Sequence, residues 1–257
     1  MALMNPTYTA VLLLSLLSCV TTAGGIALAL LLRENRHAIA AGMGFSVGIM
    51  VLISTLELIP EAISAMGIGT TLTSVALGAA LLWVMHLIIP HTHLFPENAL
   101  INRALFRSAY LVAFGLILHD VPEGFAMANA YIATPELGVL VGLAIALHNL
   151  PEEFAMAMPA MQLRSKRLLF GAAFLSALAE PLGAILGLVA VGIAPSLNAH
   201  FMAFAAGAML FVSIHELLPM ARRYRHLGLF LGGTVLSMLV YWLLARLTVG
   251  LPVAGAS

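Results

Sequence analysis

The chain has 257 residues, 62% of them hydrophobic and 9% charged, and a formal net charge of zero. A soluble globular domain is roughly half apolar and a quarter charged, and a water-soluble fold could not hide this much apolar surface. The balanced charge excludes the basic stripe that nucleic-acid binding needs, and the single cysteine, Cys19, excludes an internal disulfide and a cysteine-rich zinc module.

Lipid is the solvent that suits such a chain. Scanning for apolar runs of roughly 20 residues, the length that spans a bilayer, predicts eight spans, at 9–32, 39–59, 71–89, 109–133, 137–158, 168–191, 198–219 and 227–249. Each is expected to be a helix, because a lone segment in lipid must satisfy its own backbone. The alternation of a membrane barrel strand is missing. No Lys or Arg precedes the first run, which is too long for a signal-peptide core, so it is expected to be the first membrane helix. Span two ends on Glu57 and Glu61. After span three comes the longest loop, roughly 90–108, with His91 and His93. It is too short for a soluble domain, so a single transmembrane domain over residues 1–257 is expected. Span four carries His119, Asp120 and Glu123 near its middle, and span five carries His148, Asn149 and Glu152. Glu180 centres span six, and His215 and Glu216 lie toward the inner end of span seven.

The basic residues predict an orientation. Arg33 and Arg36 lie in the first loop, Arg103 and Arg107 in the third, Arg164, Lys166 and Arg167 in the fifth, and Arg222, Arg223 and Arg225 in the seventh. Even-numbered loops have none, and only Arg246, late in span eight, departs from the pattern. Odd loops are therefore expected in the cytoplasm and both termini outside it, in a multi-pass protein of the cell (inner) membrane.

Two internal similarities stand out. Leu118-His-Asp-Val-Pro-Glu-Gly-Phe-Ala-Met-Ala aligns with Leu147-His-Asn-Leu-Pro-Glu-Glu-Phe-Ala-Met-Ala, and the Gly48–Pro60 segment aligns with Gly207–Pro219. Both pairs fall on oppositely directed spans. That suggests inverted-topology repeats, common in secondary transporters with the substrate site at the midplane. The fold class expected is thus all-α, eight transmembrane helices in an inverted-repeat (3+2+3) arrangement.

Ionisable groups inside membrane helices are costly and usually functional. His119 and Glu123 are four residues apart and share a helix face, as do His148 and Glu152. Two imidazoles and two carboxylates converging on one point suit a first-row divalent metal, zinc best, with iron, manganese or cadmium tolerated. Asp120 and Asn149, a quarter turn around, could hold a second ion that Glu123 and Glu152 bridge and Glu180 completes. No Lys or Arg lies between Arg107 and Arg164 to balance these acids, so they need a cation or protons. The alternative is a buried network of ion pairs and hydrogen bonds. Pro122 and Pro151 would kink the two helices and open space for ions. Glu57 and Glu61 on the outer side, and His215 and Glu216 on the inner, sketch a path. His91 and His93, with His86, could capture ions at the cytoplasmic face. Met50 and Met209 could be soft ligands, though packing is the commoner use. Glu153 points away from Glu152, as a further ligand or toward a watery cavity.

At His119-Asp-Val-Pro-Glu-Gly and His148-Asn-Leu-Pro-Glu-Glu the chain resembles the ZIP family of metal transporters, especially its compact bacterial members, and the resemblance runs along the whole chain. It implies that His119, Glu123, His148 and Glu152 bind one metal, and that Asp120, Asn149 and Glu180 with the bridging glutamates bind a neighbour. It further implies import into the cytoplasm, a homodimer, and an elevator-like sliding of spans one, four, five and six against the rest. The metal would be cargo, with no catalytic cofactor. The family's usual Asn after the first His is Asp120 here, and its usual Gly after the second Pro-Glu is Glu153, so selectivity is open. An intramembrane metal hydrolase is the rival from another class, but the His-Glu-x-x-His signature is missing, with Pro at 219 after His215-Glu216. A cation channel using the same acids is the other. A carrier, not an enzyme, is the expectation.

Overall fold

The computed structural model describes residues 6–32, 35–88, 120–162, 164–219 and 226–249, apart from the side chains at 86, 88, 159, 162 and 216. These residues are all-helical, in eight segments. They are α1 (Pro6–Leu32), α2 (Arg36–Met66), α3 (Ile68–Ile88), α4 (described over 120–133), α5 (Pro135–Gln162), α6 (Lys166–Ile193), α7 (Asn198–Val212, prolonged by a π-helical turn, Ser213–Leu217) and α8 (Leu227–Thr248). Seven are long and apolar enough to cross a membrane, and α4 is described only from residue 120. Apolar side chains face outward: Leu77, Phe174, Leu186, Leu239 and Trp242 are each more than half exposed. Such a surface belongs in lipid, and the protein is a multi-pass membrane protein.

Local signals set the helix ends. The Asn35 side chain accepts from the amides of His37 and Ala38 at 3.1 Å each, capping α2. Ser165 caps α6 by accepting from the Leu168 amide at 3.3 Å. Between α2 and α3 the chain reverses at Gly67, whose φ of 81° only glycine adopts without cost. Arg246, the basic residue off the odd loops, lies 4.6 Å from the centre of the Trp242 ring, a pairing suited to a membrane interface.

α2 runs past its predicted end at residue 59, and the reason is backbone geometry. Pro60 lacks an amide hydrogen and its ring crowds the carbonyl four residues back. The helix answers with a π turn over Ile53–Leu58, closed by the Ile59 amide donating to the Ser54 carbonyl. Helix α7 does the same before Pro219, where the Leu218 amide donates to the Ser213 carbonyl. The wider turns fall at matching positions of the Gly48–Pro60 and Gly207–Pro219 similarity, so that repeat exists in the backbone as well as in the residues.

The helices pack as two groups. In one, α2 lies along α8 and α3 along α7; the Thr234 hydroxyl donates to the Gly44 carbonyl at 3.1 Å across the first pair. In the other, α1 packs on α5 and α6, and α4 meets α6 backbone to backbone. A Cβ on Gly124 would lie 2.0 Å from the Glu180 carbonyl oxygen, and one on Gly183 2.1 Å from that of Val121. Contact between α2 and α5 joins the groups.

Candidate metal centre

Five acids, Asp120, Glu123, Glu152, Glu153 and Glu180, are buried in the second group with His148 and Asn149, none more than 6% exposed. Helical spacing delivers the first cluster. His148 and Glu152 are successive on one face of α5, and Glu123 reaches across from α4. One ligand atom from each of Glu123, His148 and Glu152 lies within 4.8 Å of the others. His148 Nε2 is 3.1 Å from Glu123 Oε1 and 3.8 Å from Glu152 Oε2.

The other ring nitrogen decides what this cluster wants. His148 Nδ1 lies 3.0 Å from the Ala144 carbonyl, which only accepts, so Nδ1 carries the hydrogen. That leaves Nε2 facing two carboxylates, 3.1 Å from Glu123 Oε1, a contact that needs a shared proton or a metal ion between imidazole and carboxylate. A ring held by a backbone carbonyl is also how metal-binding histidines are oriented. Glu123 Oε2 has no hydrogen-bond partner among the described residues, which leaves it available as a ligand. The donor set, one imidazole and two carboxylates, suits zinc and its neighbours. His119, the fourth residue expected here, lies outside the described residues.

A second contact lies beside the first. Asn149 Nδ2 donates to Glu180 Oε2 at 3.0 Å, joining α5 to α6, with Ser18 of α1 beside the Glu180 carboxylate. One helical turn nearer the loop that precedes α6 is a further polar layer. There the Ser176 hydroxyl donates to Asp120 Oδ2 at 2.6 Å and also meets Glu153 Oε1. The Thr22 hydroxyl donates to the same Glu153 oxygen at 3.4 Å. Thr22, Asp120, Glu153 and Ser176 come one each from α1, α4, α5 and α6. Asp120 thus bonds to Ser176, a turn from the Asn149–Glu180 contact. Glu153 is buried among hydroxyls. Ser18, Thr22 and Ser176 escaped sequence reasoning, although Ser18 and Thr22, and Ser176 and Glu180, are each spaced by four.

The remaining candidates are scattered. Glu57 lies in the π turn of α2 and accepts from the Tyr241 hydroxyl at 2.5 Å; Glu61 is a turn beyond, half-buried. His215 is exposed and stacks on Phe211 with ring centres 4.8 Å apart. Met50 and Met209 are buried, and the Met50 sulfur accepts from the Ser213 hydroxyl at 3.5 Å, a packing role. His91, His93 and the side chains of His86 and Glu216 lie outside the described residues.

Comparison with known proteins adds independent support. Residues 97–244 match the family model described as ZIP Zinc transporter. A protein of Chlorobium luteolum described as Zinc transporter ZupT is 34% identical over 91% of this chain and 96% of its own length. Proteins of the same description from Corynebacterium aurimucosum and Escherichia fergusonii are 37% and 35% identical, covering 81% and 82% of this chain and 85% and 86% of their own.

Proposed function

Because the chain belongs to the ZIP family of zinc transporters, we propose that it is a secondary transporter carrying divalent metal ions into the cytoplasm. Zinc is the principal cargo, with iron, manganese and cadmium accepted, and the metal is substrate, not catalytic cofactor. The observation that carries this reading is the Glu123–His148–Glu152 cluster, its ligand atoms within 4.8 Å of one another and buried on a stretch without Lys or Arg from 108 to 163. Uncompensated anions at that depth are costly, and a dication relieves the cost.

In this reading His119, Glu123, His148 and Glu152 hold one ion. Asp120, Asn149 and Glu180, with the second oxygens of the two glutamates, hold its neighbour. Ions arrive past Glu57 and Glu61 and leave past His215 and Glu216, with His91 and His93 at the cytoplasmic exit. The two packing groups suit a mechanism in which α1, α4, α5 and α6 slide as a unit against α2, α3, α7 and α8. The protein sits in the cell membrane as a homodimer with both termini outside. Nucleic acid has no part in it.

Reconstitution into vesicles loaded with a zinc-sensitive dye tests the proposal. Saturable uptake of zinc, competed by manganese and cadmium, is expected, together with no turnover of peptide or lipid. Uptake that never saturates points to a channel, and hydrolysis of peptide or lipid points to an enzyme; either result removes the carrier reading.

A further inference from the structure

The two motifs of the internal repeat differ at two polar positions. Asp120 stands where the second motif has Asn149, and Glu153 stands where the first has Gly124. In the fold these two unmatched residues meet at one side chain, the Ser176 hydroxyl. The repeat explains how room was found. Gly124 lies against the α6 backbone, where no side chain fits. Glu153 lies against α1, and there α1 has Gly25, whose Cβ would fall 2.6 Å from the Glu153 Cβ.

We propose that Ser176 is a positioning residue for ion selectivity, holding the Asp120 carboxylate one helical turn away from the Asn149–Glu180 contact. This rests on the transport reading and deepens its account of the second ion. Asn149 and Asp120, equivalent in the repeat, reach α6 at residues four apart: Asn149 at Glu180 and Asp120 at Ser176. Asp120 also shares a face of α4 with Glu123, three residues on. Its carboxylate, held by Ser176 here, lies on the face that leads to the ions. A hydroxyl carries a single hydrogen, and at Ser176 the Asp120 and Glu153 carboxylates share it. Without that hydroxyl Asp120 loses the donor that holds it on α6, and the positive charge of the bound ions draws its carboxylate toward Glu123, Asn149 and Glu180. There it adds a hard anionic oxygen to the second ion. Hard donors favour manganese over zinc and cadmium.

The test is uptake of zinc, cadmium and manganese into vesicles by the wild-type protein and by S176A, S176T and the pair D120N and D120N/S176A. In S176A the KM for manganese relative to that for zinc is expected to fall about tenfold, the scale of one hydrogen bond to a charged group. S176T keeps the hydroxyl and restores the wild-type ratio. In the D120N background S176A produces no further change, because the serine acts through the aspartate. A loss in S176A that is equal for all three ions, with the KM ratio intact, overturns the assignment. So does a ratio shift that survives in D120N. A wild-type protein that carries none of the ions sinks the transport reading itself, a result separable from either of these.

Discussion

Gly124→Ala puts one methyl where α4 and α6 touch. The new Cβ would sit 2.0 Å from the Glu180 carbonyl oxygen, a backbone atom that cannot swing aside. Restoring ordinary contact near 3.4 Å moves the helices apart by about 1.4 Å. Glu180 moves with α6, so its 3.0 Å bond from Asn149 on α5 stretches beyond hydrogen-bonding reach. Overpacking of this kind costs about 1–3 kcal/mol of stability, and losing a hydrogen bond to a charged group costs a further ~1.5–3 kcal/mol. The Glu123–His148–Glu152 cluster lies on α4 and α5 and keeps its geometry. Titration calorimetry of the detergent-purified protein is therefore expected to show one zinc bound with near wild-type affinity and the second weakened roughly 10- to 100-fold. Gly183→Ala, aimed from α6 at the Val121 carbonyl at 2.1 Å, should repeat the result. Gly171→Ala, with nothing within 4 Å of its Cβ, is the control. Two full-affinity zinc ions and an unchanged melting temperature in Gly124→Ala would refute the reasoning.

Glu152→Ala should abolish zinc uptake while leaving insertion and yield intact, as judged by membrane fractionation and size-exclusion profile. Lowering the pH from about 7 to about 5 should reduce uptake, because metal must displace protons from imidazole and carboxylate; faster uptake at the lower pH speaks against simple competition. Tyr241→Phe removes the donor to Glu57 and should lower stability by about 1 kcal/mol, read by thermal unfolding in detergent. Ser54→Ala should leave stability unchanged or raise it, since the Ser54 hydroxyl is buried without a hydrogen-bond partner among the described residues; clear destabilisation would show a partner there.

Much of the architecture could be read from the chain because lipid imposes simple rules. Apolar run length located the helices, and i, i+4 spacing placed His148 and Glu152 on one face, where their ligand atoms lie 3.8 Å apart. Harder to see were features that depend on which helices become neighbours. Ser176 and Thr22 look like ordinary small residues until packing brings four helices together around Glu153. Asp120 shows the same limit: its sequence neighbours place it beside the candidate metal ligands, but its bond to Ser176 depends on the packing of α6. The π turns were missed for a different reason. Pro60 and Pro219 suggest helix ends, whereas a helix in lipid cannot leave its carbonyls bare and widens around the ring instead.

Helices α2 and α5 meet directly at His148. The Ser46 hydroxyl on α2 donates to the main-chain oxygen of His148 at 3.0 Å, and Gly42 leaves just enough room for the Pro151 ring. α5 is therefore fastened to α2 at His148, the histidine of the buried cluster. Any shift of α5 by one turn would surrender that bond and re-seat the proline, so the proposed ion binding and the proposed sliding would both act through the same few atoms. If the proposed carrier moves this way, an ion held at His148 would bear on the same contact that ties α5 to α2.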